Sequence, residues 1–178
     1  MMKKLVFGSI LAFGLVANAQ AKDEKQVETL SQVQQVVEIP NISKDKIYSN
    51  SKQWVAINFK SANDVIQMDD KESGVLIGKG NFNYPCKGWS CLGYDGDLVT
   101  FTVKIEVKDN KSRITFSDIN HHVPKKYVSG TYTPEYDIPI VYKGGRTNLL
   151  APVKEKFDDL IKDYQNTVIQ TAKANDEW

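Results

Sequence analysis

Two cysteines and two adjacent histidines carry the most distinctive chemistry in the sequence. Cys86 and Cys91 stand in Tyr-Pro-Cys-Lys-Gly-Trp-Ser-Cys-Leu-Gly-Tyr, with four residues between them. That spacing lets the chain turn and bring the sulfurs together, closing a six-residue ring. Such a ring contributes about 2 kcal/mol on the chain-entropy account, so it staples a loop and does not decide the fold. Redox pairs usually have two residues between the cysteines, and zinc needs two further ligands, so a structural disulfide is the expectation. His121 and His122 are neighbours; on a strand they point to opposite faces and do not chelate one ion together. With Asp118 and Asp137 they read as a polar strand end, not a metal site. Asp69, Asp70 and Glu72 read as a solvated hairpin turn and not as a calcium site. No nucleophile motif, phosphate loop, dinucleotide fingerprint or zinc signature occurs. Catalytic residues: none are assigned, and no metal ligand or cofactor either.

Aromatic side chains offer a different chemistry. Tyr84, Trp89 and Tyr94 flank or occupy the cysteine loop, and Tyr127, Tyr132, Tyr136 and Tyr142 populate residues 121–150. Tyr and Trp are common anchors at interfaces. They serve equally as caps on loop packing, and both readings stay open here. Trp89, Tyr84, Tyr94, Tyr132 and Tyr136 are the candidate contact surface. Trp89 leads the set because the ring would hold it on a constrained turn.

Those residues need a scaffold, and the hydropathy pattern supplies one. Residues 36–39 read as a strand stopped by Pro40. Ser43 reads as a helix N-cap with Asp45 in the first turn, and Ile47, Tyr48, Trp54, Val55 and Phe59 fall on one side of a helix ending near Phe59. Strands follow at 65–69, 75–84, 98–108 and 113–119. In the third of these Val99, Phe101, Val103, Ile105 and Val107 alternate with Thr and Lys, which marks an antiparallel sheet with one wet face. Gly78 and Gly80 mark close packing or a bend in the second. Residues 121–150 show no firm element beyond an edge strand at 138–142, an unusual length inside a compact domain. Pro152 then opens a terminal helix striped by Val153, Phe157, Leu160, Ile161, Tyr164 and Val168. The order β-α-β-β-β-β-α predicts an α+β, two-layer, helix-grip-like domain with both helices on one face of the sheet.

The boundaries follow from composition. Residues 1–4 are basic, 5–16 are apolar, and Ala17-Asn18-Ala19 and Ala19-Gln20-Ala21 are overlapping small-x-small sites. This is the order of an export signal, cleaved after Ala19 or Ala21. The apolar run is too short to span a bilayer comfortably, so no membrane anchor is expected after cleavage. Residues 22–35 are expected to be a polar linker, 36–170 one domain, and 171–178 a polar tail. Of 178 residues, 41% are hydrophobic and 25% charged, as in a globular fold. Net charge is +1, and loss of Lys3 and Lys4 with the signal makes it −1. A near-neutral chain with only two arginines, Arg113 and Arg146, argues against nucleic acid as a partner.

Val-Glu-Ile-Pro ahead of an amphipathic helix, the run Trp54-Val55-Ala56-Ile57-Asn58-Phe59-Lys60-Ser61-Ala62-Asn63-Asp64-Val65-Ile66-Gln67, the Ile77-Gly78-Lys79-Gly80 strand and the strand pair at 102–118 together resemble a bacterial family, the domain of unknown function 4468. The resemblance covers residues 36–120 and the terminal helix. It implies a fold like one half of the TATA-binding protein. It supplies no catalytic residues and, for an exported chain of this charge, no DNA binding. The expected function is an exported, periplasmic, non-enzymatic binding or accessory module that contacts an envelope protein, in one version as an inhibitor or immunity protein. The alternatives are a small-molecule or lipid carrier with a cavity between helices and sheet, and an enzyme of unrecognised class.

Overall fold

The alternation at 98–108 becomes the middle of the sheet. On β5 (Leu98–Lys108) Val99, Phe101, Val103, Ile105 and Val107 are all buried. The chain is described by a computed structural model covering residues 28–59, 66–86, 93–128, 130–142 and 150–174. Before β5 come β1 (Glu28–Thr29), β2 (Gln32–Glu38), α1 (Lys44–Asn58), β3 (Ile66–Asp70) and β4 (Val75–Asn83). After it come β6 (Lys111–Val123), β7 (Lys126–Val128), β8 (Thr131–Thr133), β9 (Tyr136–Pro139), β10 (Val141–Tyr142) and α2 (Leu150–Ala174). The main sheet is antiparallel in the order β2-β6-β5-β4-β3, and β9 pairs with the far end of β6, beyond β2. β1 with β10 and β7 with β8 form two small ribbons. This is the expected α+β, two-layer arrangement.

Both helices cover one face. Ile47, Tyr48, Trp54 and Val55 of α1, with Phe59 just after it, are buried, as is the whole stripe Val153, Phe157, Leu160, Ile161, Tyr164 and Val168 of α2. Aromatic rings fill the space between the layers. Phe157 packs at 5.3, 5.2 and 4.9 Å between ring centres against Phe82, Phe101 and Phe116. A Cβ at Gly80 would stand 2.6 Å from the Phe101 ring and 3.1 Å from the Phe59 ring, so glycine lets these two rings meet. The helices are tied by polar contacts as well. Trp54 Nε1 donates to Asp163 at 2.7 Å, Asn50 donates to the Val168 carbonyl at 3.1 Å, and the Tyr164 hydroxyl donates to Ser112 of β6 at 2.8 Å.

Three local expectations change. Ser43 occupies the N-cap, but its side chain makes no capping bond. Asp109, from the β5–β6 turn, accepts from the Lys44 N–H at 2.7 Å and takes over that role. Residues 28–35, expected within a linker, form β1 and the start of β2, with Leu30 buried and its N–H bonded to the Ile140 carbonyl at 2.9 Å. Glutamines hide that strand from a hydropathy reading, because an edge position needs only every second residue to be apolar. Residues 121–150, expected to hold no firm element beyond an edge strand at 138–142, contain the end of β6 and, among the described residues, four short strands, of which β9 and β10 overlap the expected edge strand. Their turn formers mask pieces of two to four residues, each held by pairing and not by hydropathy.

Candidate functional site

A bulge in β6 decides what faces the end of the sheet. Pairing of β5 with β6 shifts between Thr100 and Thr102, and Asp118 takes a left-handed φ of 52°. The extra residue inverts the alternation. Ile114 and Phe116 point inward before it, and Ile119, His121 and Val123 after it. His121 is thereby turned to the core side and His122 away, as expected for strand neighbours.

His121 meets a buried acid. Its Nε2 lies 2.6 Å from Asp97 Oδ2, and Asp97 is only 3% exposed. The other carboxylate oxygen, Oδ1, accepts from the Lys126 ammonium of β7, which also donates to the Gly93 carbonyl at 3.2 Å. The backbone of Asp97 is held too: its N–H donates to the Tyr94 carbonyl at 3.0 Å, and its carbonyl accepts from Tyr84 N–H at 2.9 Å. Tyr84 stacks on Tyr94 with ring centres 5.3 Å apart and lies 4.2 Å from the His121 ring. Burial, with Tyr94 and Asp97 adding, pushes the Tyr84 hydroxyl up to about 12. The carboxylate therefore gathers β6, β7 and residues 93–97 at one point.

These groups border a groove of about 460 Å³ between the end of the sheet and the β7–β10 segment. Tyr84, Tyr94, Asp97 and His121 line it on the sheet side, with Tyr136 and Ile138 on the side of β9. Tyr136 and Ile138 are 45% and 41% exposed, and Tyr132 on β8 is 59% exposed. His122 takes a separate partner, Asp137 of β9, at 2.9 Å. Of the predicted surface residues, the structure brings Tyr84, Tyr94 and Tyr136 to one groove and leaves Tyr132 exposed nearby in sequence. Tyr84 is a buried wall and not a projecting ring, because the β4 end carries it beneath Tyr94. Trp89 and Cys91 lie outside the described residues. Cys86 is partly buried against the core, and no described cysteine is free.

Chemically, Asp97 holds the His121 ring by one nitrogen and is already engaged by Lys126. His121 is 6% exposed and Asp97 3%, so the pair is held from within while joining β6, β7 and residues 93–97. Among the described residues no three His, Cys, Asp or Glu side chains gather as a metal site, and no helix is long and apolar enough to cross a membrane. Asp97 and Lys126 were not singled out by the sequence reading. Asp97 had a readable signal: it lies two positions before Val99, on the same inward row as the buried residues of β5.

A mainly antiparallel sheet with two helices on one face, entered by a strand and a helix and closed by a helix, defines an α+β protein of the TATA-binding-protein-like class. Residues 34–122, half of the chain, match the domain of unknown function DUF4468 with TBP-like fold, and the chain belongs to that family. It is similar to a DUF4468 family protein from Bacteroides ovatus ATCC 8483 at 19% identity and a TM-score of 0.44, over 60% of this chain and 59% of that one. It is also similar to a TBP-like protein from Parabacteroides distasonis ATCC 8503 at 19% identity and a TM-score of 0.49, over 76% and 93% of the two chains. The chain thus spans 59% of the length of the first. No curated protein matches it.

Proposed function

We propose that this is an exported, periplasmic, non-enzymatic binding module that contacts an envelope protein through residues 127–141 and the Cys86–Cys91 loop. One observation carries the reading. Of the eight large hydrophobic side chains exposed among the described residues, five fall in this one segment: Tyr127, Tyr132, Tyr136, Ile138 and Val141. Singly exposed apolar residues need no explanation, whereas a cluster rimmed by polar groups marks a contact surface. The segment is also anchored from below by Asp97 and Lys126, so little order remains to be gained on binding. A disulfide between Cys86 and Cys91 fits this reading, since it would constrain the chain that joins Tyr84 to Tyr94, both of which line the groove.

The test places a photo-crosslinking residue at Tyr132 in the native host, with and without Tyr136→Ser and Ile138→Ser. A single crosslinked envelope protein, lost in the double variant while the melting temperature holds within a few degrees, is the expected result. Crosslinks indifferent to the double variant overturn it. The carrier reading gains one observation, the groove of about 460 Å³, which lies at the sheet end and not between helices and sheet, where aromatic rings pack. A carrier would release a small molecule on denaturation, seen by mass spectrometry, and show no crosslink.

A further inference from the structure

The two outer strands of the main sheet are protected very differently. β3 is short, ends in Asp69 and Asp70, has a register shift between Ile66 and Met68, and is gripped from α1 by the Tyr48 hydroxyl and the Lys52 ammonium on Asp69. Charge and irregularity are the usual means of keeping a sheet edge from pairing. β2 has neither. Its seven residues, Gln-Val-Gln-Gln-Val-Val-Glu, pair with β6 in unbroken register and carry one charge, at the last position. Among the described residues its only strand partner is β6.

The direction of its free backbone groups follows from the next residue. Ile39 N–H donates to the Asn110 carbonyl at 2.7 Å, toward β6. Backbone groups alternate sides along a strand, so Val37, Gln35 and Val33 also address β6. Gln32, Gln34, Val36 and Glu38 then direct their N–H and C=O away from the sheet.

We propose that β2 pairs antiparallel with β2 of a second copy of this chain, about a two-fold axis through Gln35, joining two sheets into one. The sequence is self-complementary in that register. Gln34 lies opposite Val36, Gln32 opposite Glu38, and Val33 opposite Val37, so no two like charges meet. Every outward-directed residue faces another outward-directed residue, which forms roughly eight inter-chain hydrogen bonds. Centring the axis on Val36 would set Gln32 against Pro40, which has no N–H to give. Centring it on Gln34 would pair Glu38 with Leu30, whose N–H is already bound to Ile140. Gln35 is therefore the one centre that uses the whole strand. The pairing would also cover Val36, which is 52% exposed.

Sedimentation equilibrium of the signal-free chain, from about 10 to 500 µM, reads the association directly. A concentration-dependent dimer is expected. Val36→Pro removes an outward donor without touching the β6 ladder and should leave a monomer with unchanged circular dichroism. Gln35 is exposed, so Gln35→Lys and Gln35→Glu fold normally. Each should weaken the dimer at least about tenfold by setting like charges on the axis, and an equimolar mixture should recover it. A wild-type monomer throughout that range overturns the proposal. So does a dimer that survives both charged variants, since that dimer uses another surface.

Discussion

Asp97 shows how much rests on one side chain. Its carboxylate is buried and joined to His121 and Lys126, so an amide there removes the charge opposite the Lys126 ammonium and turns one of the two acceptor oxygens into a donor facing a donor. Breaking a buried pair from one side is far costlier than losing an exposed one. Asp97→Asn is expected to cost about 3 kcal/mol in urea denaturation and to loosen the groove, visible as faster amide exchange at residues 126–138. A loss below about 1 kcal/mol would mean the trio is dispensable. Asp69 acts at the surface instead. Hydrogen bonds from Lys52 and then Tyr48 hold its carboxyl below the ordinary value of 3.8. A carboxyl depressed in the folded state stabilises above its unfolded value, and that gain is lost as pH falls through the folded one. Asp69→Asn should therefore flatten the decline of melting temperature below about pH 4 and leave the slope between pH 7 and 9 unchanged.

Elements were legible where one physical rule dominated. The inward row of β5 and the stripe of α2 follow from periods of two and 3.6 residues, and every residue of both rows is buried. The bulge at Asp118 was not legible, because a single left-handed residue leaves no mark on hydropathy. That bulge is what turns His121 toward Asp97, so the groove was hidden with it. The short strands after β6 were hidden for another reason: β9 and β10 are held by partners farther off in sequence, β6 and β1, and β7 and β8 are three-residue arms of one local hairpin, too short to show a period. Two predictions follow from the legible part. Phe157→Ala removes a fully buried ring touching three other rings and should cost about 3–5 kcal/mol. Gly80→Ala drives a methyl into the Phe101 ring and should cost about 1–3 kcal/mol, although alanine is the better residue for an open strand. A neutral or stabilising Gly80→Ala in thermal unfolding would show that the ring pair yields freely.

For the whole molecule, compartment and cysteine chemistry must agree. The basic, apolar and small-x-small order of residues 1–21 argues for export, and an oxidising compartment is what would let two cysteines five positions apart form and keep the proposed disulfide. If the chain remained in a reducing cytosol, Cys86 and Cys91 would be held as thiols and no staple would form between them. One measurement joins these claims. Intact-mass analysis of the protein from the native host should give a chain starting at Gln20 or Lys22, two hydrogens lighter than its reduced form, and resistant to alkylation until reductant is added. An intact Met1 on cytoplasmic protein would end the export reading. A correctly trimmed chain with two alkylatable thiols would keep export and remove the disulfide. In the paired protein, reduction should lower stability by about 2 kcal/mol without unfolding the domain, because a ring this small constrains few unfolded conformations beside a typical total of about 5–15 kcal/mol.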